Sequence, residues 1–172
     1  MTNKIIGTPE FVEKIEQVFD QSKDSPIDIH WKEVSSTWVE ISCSTEQVNL
    51  LLTSLNELKK GGTQLTGKTT RGQVWFLVQE VISIEAFGND VETMINKQRV
   101  LLEKKLYEYE SELASEGFIR IGKSVLINTN RIESVASAYN GKLLLYLDNN
   151  QKVYVNRSYS KHFKEILAKK RG

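Results

Sequence analysis

The sequence has few of the residues that form disulfides and metal sites. Its 172 residues include one cysteine, Cys43, and two histidines, His30 and His162. A single cysteine can form neither an internal disulfide nor a cysteine-rich zinc site, and the spacing of the histidines suggests neither a metal cluster nor a base beside Cys43. We therefore expect no metal and no other cofactor, and we interpret Cys43 as a buried structural thiol.

The sequence also lacks long apolar runs. The longest uninterrupted ones, residues 74–78 and 143–147, have five residues each, whereas a membrane-spanning helix needs about 20. Residues 1–7 contain one lysine and no sustained apolar stretch, unlike a secretory signal peptide. We therefore expect a cytoplasmic protein, and its length is typical of one full domain with a modest appendage.

Residues 1–70 carry the signals of a small α+β region made of a helix, a hairpin and a second helix. A hydroxyl cap, a proline and an acid at Thr8-Pro9-Glu10 predict that a helix begins there and ends before Pro26. The later signals are alternation of apolar and polar residues over 27–31 and 37–43, and a capping box at 44–47 that begins a leucine-rich helix.

From Gln73 onward, short apolar runs recur with turn signals between them, which is typical of a mainly β fold. The predicted strands are Gln73–Leu77, Val81–Phe87, Val91–Asn96, Gln98–Leu102, Phe118–Ile121, Ser134–Tyr139, Lys142–Leu147 and Lys152–Val155. Asn140-Gly141 predicts a two-residue type I′ turn, because both residues tolerate positive φ, and residues 148–150 predict the next reversal. Helices are predicted over residues 104–114 and 158–169. Strands joined by such short turns pair antiparallel.

One stretch matches a nucleotide-binding motif in its spacing. Gly62 to Thr69 fit the pattern G-x-x-x-x-G-K-[ST], and Leu143 to Asp148 resemble an apolar strand that ends in a magnesium-binding aspartate. Such a loop binds phosphate where a strand precedes it and a helix follows it, whereas here a leucine-rich helix precedes the glycines and a strand follows them. We therefore interpret the stretch as a glycine-rich linker between domains. A small NTPase that uses Lys68 and Thr69 is the alternative.

The charge of the chain is unevenly distributed. The overall net charge is +1, but residues 1–70 hold 7 basic and 10 acidic residues, residues 71–116 hold 5 and 9, and residues 117–172 hold 11 and 3. The last 56 residues therefore carry a net charge of +8 while the rest is acidic. Such a concentration of lysine and arginine is typical of a surface that binds a polyanion such as nucleic acid.

Several ordered motifs in the basic third resemble the LytTR family of bacterial DNA-binding transcription regulators. They are Phe118 to Asn128, the apolar run that begins at Ile132, and Val153 to Tyr159. Val81 to Val91 look like that family's first core strand and its glycine-containing loop, and the likeness covers residues from about 73 to 169. The resemblance implies a mainly β fold of about ten strands in three antiparallel sheets, which contacts DNA through loops and inserts no recognition helix.

The resemblance also implies which residues contact DNA. Arg157 can donate two hydrogen bonds to guanine O6 and N7, Lys123 can reach the same acceptors or a phosphate, and Asn89 can pair with an adenine edge. Serine and asparagine side chains elsewhere in the motifs suit phosphate oxygens. The full set expected at the DNA is Asn89, Asp90, Val91, Arg120, Lys123, Ser124, Asn128, Arg157 and Ser158. Two members depart from the family pattern, because Asp90 is acidic and Lys123 stands where many relatives carry arginine or asparagine.

These observations predict two domains, a regulatory or dimerisation region over residues 1–70 and a LytTR-type DNA-binding domain over residues 71–172. Residues 1–70 show no βα alternation of the kind that builds a phosphate-accepting receiver domain. We expect a sequence-specific regulator without catalytic activity that binds two half-sites of double-stranded DNA as a homodimer. The layout resembles the short LytTR regulators without a receiver domain that are encoded beside inhibitory membrane proteins, and this resemblance implies a membrane-bound inhibitor protein as a further partner of the first region. The alternatives are the small NTPase and a protein-interaction module that does not bind DNA.

Overall fold

The computed structural model describes residues 2–20, 30–44 and 63–171. The chain divides into two compact units: the first consists of Met1–Val81 with Met94–Leu102, and the second of Ile82–Thr93 with Glu103–Gly172. Within the described ranges, no helix is both long enough and apolar enough to cross a membrane.

The described elements alternate short strands with a few helices. In chain order they are β1 (Thr2–Gly7), α1 (Pro9–Asp20), β2 (His30–Glu33), β3 (Val39–Ser44), β4 (Gln64–Thr69), β5 (Gly72–Leu77), β6 (Ser83–Phe87), β7 (Asp90–Ile95), β8 (Gln98–Leu102), α2 (Leu106–Glu112), β9 (Phe118–Gly122), β10 (Val125–Asn128), β11 (Ile132–Ser137), β12 (Leu143–Leu147), β13 (Lys152–Val155) and α3 (Arg157–Arg171). Single 3-10 turns cover Val78–Glu80, Thr129–Arg131 and Tyr139–Gly141.

The mostly β class is confirmed, and one strand pair departs from the expected antiparallel arrangement. By hydrogen-bonding order, the described strands of the first unit are β2-β3-β1-β5-β4-β8, and those of the second unit are β7-β6-β10-β9 and a separate three-stranded sheet, β11-β12-β13. One pair, β1 with β5, is parallel and joins Ile6 to Val74 and Gly7 to Trp75. The pairs β1–β3, β2–β3, β4–β5, β4–β8, β6–β7, β6–β10, β9–β10, β11–β12 and β12–β13 are antiparallel, as the short turns predict.

Helix α1 begins where the sequence predicts. The Thr8 hydroxyl accepts a hydrogen bond from the backbone N–H of Phe11 at 3.3 Å, so Thr8 caps the helix and Pro9 is its first residue. Phe11 is fully buried in the first unit, as is Trp38. The second helix expected in this region falls mainly on residues 45–62, outside the described residues.

Strand β1 was not predicted from the sequence. Its residues, Thr-Asn-Lys-Ile-Ile-Gly, do not alternate cleanly, and only one of the two central isoleucines, Ile5, lies fully in the core. The strand is specified by its partner, since all six of its residues pair with β3 from Ser44 to Val39. Pairing with a distant segment leaves little trace in local sequence.

The segment with nucleotide-binding spacing is a strand and not a phosphate-binding loop. Gly67, Lys68 and Thr69 lie in β4, and the chain then turns directly into β5, with Lys68 opposite Gln73. A Cβ on Gly67 would lie 2.3 Å from a methyl carbon of Val100, so glycine permits the close approach of β8. The interpretation as a linker was therefore wrong, and the loop-to-helix arrangement that a phosphate site needs is not formed by residues 63–77.

A half-buried carboxyl group lies beside the start of α1. One Glu80 oxygen accepts hydrogen bonds from the Thr8 hydroxyl and from the Leu77 N–H, each at 2.7 Å. Burial raises the pKa of Glu80 to about 7, against the effect of these two bonds, and the neighbouring Glu10 raises it further. Glu80 therefore keeps its proton in the folded protein at pH values where a free glutamate is ionised.

The raised pKa of Glu80 predicts that folding weakens as the pH rises. Because the folded pKa is about 7 and the ordinary value is 4.5, the stabilisation is complete below about pH 4.5 and is lost as the pH rises through 7. Replacing Glu80 with glutamine keeps a neutral hydrogen-bonding group. We therefore expect the variant Glu80→Gln to gain stability over the parent as the pH rises. The difference between their free energies of unfolding should grow by on the order of 3 kcal/mol between pH 5 and pH 8.

Urea unfolding of both proteins at several pH values measures this difference. Glu33→Gln, at an exposed position, is the control. Parallel pH profiles for the parent and Glu80→Gln would contradict this account.

A core of the second unit lies between α3, strands β9 and β10, and the three-stranded sheet. Phe163 of α3 is fully buried among apolar side chains of strands β9, β10, β12 and β13. The buried members of this cluster are Ile119, Ile121, Ile127, Leu143, Leu145, Leu147, Val155 and Phe163. Leu143, Leu145 and Leu147 alternate along β12 with the half-buried Leu144 and Tyr146, which is the period of two of a strand, although the apolar run in the sequence predicted only the strand and not its inward face.

The turn between β11 and β12 has the predicted conformation. Asn140 and Gly141 have φ values of 57° and 72°, and the Lys142 N–H donates to the Tyr139 carbonyl at 3.3 Å. These are the positive φ values that a type I′ turn requires. The next reversal also matches its prediction, with Asn150 at φ 64° and its N–H bonded to the Leu147 carbonyl at 3.0 Å.

Candidate nucleic-acid interface

Three turns and the start of α3 are linked to one another in the second unit. The Ala86 N–H at the end of β6 donates to the Ser124 carbonyl in the β9–β10 turn at 2.8 Å. The Asn156 N–H, just before α3, donates to the Ile121 carbonyl at the end of β9 at 2.9 Å. Arg157 then packs over Gly141 in the β11–β12 turn. Consequently, predicted DNA-contacting residues from distant parts of the sequence occupy one connected surface.

Lys123 lies at the tip of the tight turn between β9 and β10. Its side chain is exposed, and Ser124 beside it is half-buried. The turn is followed by a register shift in the β9–β10 ladder between Val125 and Leu126, and such irregularities change the direction of the side chains next to them. Lys123 is thus held on a rigid hairpin with its ammonium group free to face a ligand.

Arg120 lies behind this turn and does not face solvent freely. Its Nη1 donates to Glu110 Oε2 at 2.8 Å, its Nε donates to the Gly122 carbonyl at 3.0 Å, and its Nη2 donates to the Lys123 carbonyl. About a fifth of its side chain is exposed. The sequence placed Arg120 among the DNA contacts, but each of its three nitrogens already donates one hydrogen bond to a protein acceptor, so the geometry favours a supporting position.

Arg157 is exposed and is the first residue of α3. A Cβ on Gly141 would lie 3.3 Å from Arg157 Cγ and 3.5 Å from Cδ. The aliphatic part of the Arg157 side chain therefore packs against the Gly141 backbone, where a larger residue would crowd it. The first turn of α3 carries no acidic residue. The dipole of a 15-residue helix is positive at this end and attracts an anion, and Ser158, also exposed, adds a hydroxyl.

The β6–β7 turn presents a polar tip. Gly88 has a φ of 61°, and Asn89 and Asp90 are exposed. The Lys105 ammonium, just before α2, donates to the Asn89 carbonyl at 3.5 Å. Val91 is different, because only 5% of it is exposed and it packs in the core of the unit. The valine side chain therefore does not take part in the surface, contrary to the expectation from sequence.

Asn128 is the other predicted contact that lies inside. It is 1% exposed, and its Oδ1 accepts a hydrogen bond from the Asn130 N–H at 3.0 Å, capping the 3-10 turn that follows β10. Its amide shapes the backbone and does not reach the surface. The surface side chains that remain from the predicted set are Asn89, Asp90, Lys123, Ser124, Arg157 and Ser158.

Sequence reasoning missed residues that support or extend this surface. Gly141 was recognised as a turn residue but not as the support of Arg157, and Glu110 was not recognised as the partner of Arg120. Tyr139, next to the β11–β12 turn, is 87% exposed. The Lys142 ammonium lies 6.0 Å from the centre of the Tyr154 ring, a cation–π arrangement on the outer face of the three-stranded sheet. The sequence did not show that these tyrosines face outward, because they lie in or beside apolar strands in which a tyrosine can face either side.

The described residues contain no group of three or more histidine, cysteine, aspartate or glutamate side chains that could hold a metal ion.

Comparisons with known proteins identify relatives of this chain. The family model of the LytTr DNA-binding domain matches residues 72–168. Two uncharacterised HTH-type transcriptional regulators of Staphylococcus aureus, from strains NCTC 8325 / PS 47 and COL, are each 30% identical over 145 residues, which is 84% of this chain and 90% of the relative.

A solved structure shows a related fold. The LytTr DNA-binding domain of a Bacillus cereus protein, described as a methyl-accepting/DNA response regulator, is 28% identical and superposes with a TM-score of 0.57. The match covers 61% of this chain and 96% of that domain. In the part of the present chain that the structure describes, α2 and α3 are separated by five strands, so these two helices do not form a helix-turn-helix.

Proposed function

This chain belongs to the LytTr DNA-binding domain family, and from that premise we propose that it is a sequence-specific transcription regulator that binds double-stranded DNA as a homodimer and has no catalytic activity. Each protomer contacts one half-site. The contacts are made by turns and by the start of α3, since these elements carry the exposed polar and basic side chains.

The observation that carries the proposal is the linkage of Lys123, Arg157 and Asn89 in one unit. Each lies on a short turn or at a helix start that backbone hydrogen bonds fix to its neighbour. Arg157 has the planar fork that matches guanine O6 and N7, Lys123 offers a point charge to the same acceptors, and the Asn89 amide suits adenine. Rigid support is what base recognition needs, because a base contact depends on direction.

Contacts to phosphate complete the proposed interface. Ser124 and Ser158 lie next to the base-contacting residues in sequence and present hydroxyl groups that suit phosphate oxygens. The net charge of +8 over residues 117–172 supplies the long-range attraction. Asp90 would be repelled by phosphate, so we place it against a base edge, where a cytosine amino group is its matching donor.

For the rest of the chain we propose a regulatory role. Residues 1–70 form the dimerisation or regulatory region, residues 71–172 form the DNA-binding domain, and a membrane-bound inhibitor protein contacts the first region. The acidic balance of residues 1–70 supports this division, because a region of net charge −3 avoids DNA. We further propose that the protein acts in the cytoplasm.

Selection of bound fragments from a random duplex library tests the proposed function. We expect one enriched motif that occurs twice in each fragment, about one helical turn or a multiple of it apart, as a dimer on two half-sites requires. Sedimentation of the complex then gives the number of protomers on each duplex.

The affinity for the selected duplex should also fall steeply as the salt concentration rises. In a plot of log affinity against log salt concentration, the slope should be roughly −0.9 for each phosphate contacted. Recovery of unenriched sequence only would contradict the proposal and favour a protein-interaction module.

A further inference from the structure

An acidic residue of α2, Glu110, is connected through Arg120 to the backbone of the turn that carries Lys123. Glu110 Oε2 lies 2.8 Å from Arg120 Nη1. The same guanidinium donates to the carbonyls of Gly122, which precedes the tip of the turn, and of Lys123, which lies at the tip. One planar group therefore joins a helix to two successive carbonyls of a hairpin.

The geometry of this contact uses properties that only arginine has. The guanidinium presents N–H groups in a rigid fork, so its orientation toward Glu110 fixes the directions of its remaining donors. Those donors define where the carbonyls of Gly122 and Lys123 point. The direction of a peptide carbonyl in a tight turn determines the direction of the neighbouring side chain, because few backbone conformations are open there.

The helix that carries Glu110 is itself firmly attached. Its residues Leu106 and Tyr109 are buried, and α2 packs against β6, β9 and β10. Lys105, at the start of the helix, also reaches the Asn89 carbonyl in the β6–β7 turn. This helix thus contacts two of the three turns of the interface, the β6–β7 turn through Lys105 and the β9–β10 turn through Glu110 and Arg120.

We propose that Glu110 is a positioning residue for DNA recognition, acting through Arg120 to hold the β9–β10 turn so that Lys123 faces a base edge. The inference rests on the proposed function and deepens it, since it assigns a role in specific binding to a carboxylate that phosphate would repel. Arg120 acts from behind the turn and makes no DNA contact of its own.

The two possible roles of Arg120 predict opposite effects of neutralising Glu110. If Arg120 were a phosphate contact restrained by Glu110, then Glu110→Gln would release the guanidinium and remove a negative charge, and binding to every duplex would become tighter. If Glu110 positions the turn, Glu110→Gln weakens binding to the selected duplex by about tenfold, because a charge-assisted bond that orients the turn is lost. Binding to a duplex of permuted sequence then stays unchanged or becomes tighter.

The same helix provides a matched control. Glu112 forms an ion pair with Lys104 at 2.7 Å, and both side chains are half-exposed. This ion pair does not involve the β9–β10 turn. Glu112→Gln removes the same charge from the same helix, so any general electrostatic effect on DNA binding is common to both variants. The difference between Glu110→Gln and Glu112→Gln isolates the positioning effect.

A second variant keeps the charge of Arg120 and removes its fork. Arg120→Lys retains a positive group, so a phosphate contact would survive it, but lysine cannot bond Glu110 and two carbonyls in the fixed geometry. We expect Arg120→Lys to lose about tenfold in affinity for the selected duplex and nothing for the permuted one. Circular dichroism and thermal unfolding verify that both variants are folded.

The experiment is fluorescence anisotropy at one salt concentration, with parent, Glu110→Gln, Glu112→Gln and Arg120→Lys on selected and permuted duplexes. The expected result is a loss of sequence preference in Glu110→Gln and Arg120→Lys and its retention in Glu112→Gln. Parent-like preference in both Glu110→Gln and Arg120→Lys would overturn the inference while leaving the proposed function intact. A parent that shows no preference would overturn the proposed function itself.

Discussion

Replacing Arg157 with alanine is expected to weaken binding to the selected duplex by about tenfold to a hundredfold, the effect of losing one bidentate contact worth roughly 1–3 kcal/mol. The side chain is exposed at the start of α3 and rests on Gly141, so its removal leaves no cavity in the core. The variant should therefore unfold at the same temperature as the parent. Anisotropy titrations of the selected duplex against the permuted duplex measure the loss.

A lysine one turn further along α3 provides the comparison. Lys161 is exposed on the same helix, and Lys161→Ala removes the same charge without removing the guanidinium fork. We expect it to weaken binding to both duplexes by a similar factor, as the loss of a phosphate contact does. If Arg157→Ala also weakened both duplexes equally, Arg157 would be a phosphate contact, and its assignment to a guanine would be wrong.

Replacing Phe163 with alanine is expected to lower the free energy of unfolding of the second unit by about 3–5 kcal/mol. Phe163 is fully buried and packs α3 against strands β9, β10, β12 and β13. Its removal leaves a cavity that the close-packed strands around it close only in part, and the large ring is among the costliest side chains to truncate. Because the helix carries Arg157 at its start, DNA binding should be lost together with the packing. Urea unfolding followed by circular dichroism measures the change.

The neighbouring Lys164 serves as the control for this core prediction. It is exposed on the same helix, and surface changes of this kind usually alter stability by less than about 0.5 kcal/mol. Lys164→Ala should therefore unfold like the parent. An equally small effect of Phe163→Ala would mean that α3 is not packed through this ring.

The second unit was more predictable from sequence than the first for physical reasons. Strands such as β12 are short apolar runs bounded by turn signals, and Asn140-Gly141 specifies its turn through its own backbone preferences. In contrast, β4 was interpreted as a linker. Its Gly67 is needed for the approach of β8, a contact with residues far along the chain that local patterns do not contain.

In the candidate site, too, some features were predictable from sequence and others were not. The exposure of Lys123 and Arg157 fits the motifs, since both occupy turns or helix starts, where polar side chains face outward. Arg120 alternates with the buried Ile119 and Ile121, so its position off the core was predictable, but its partner Glu110 lies on another element. Asn128 was misplaced because an asparagine after a strand suits a cap as well as a phosphate.

The central claim is that the linked turns of the second unit recognise DNA sequence. The most direct test is the ratio of the affinities of the parent for the selected duplex and for a duplex of the same composition in permuted order, at one fixed salt concentration. The account predicts a ratio of about 10³ or more for the parent, as is typical of specific regulators, and a collapse of that ratio when Lys123 and Arg157 are both replaced with alanine. A parent ratio close to one, or a ratio that survives the double replacement, would contradict it.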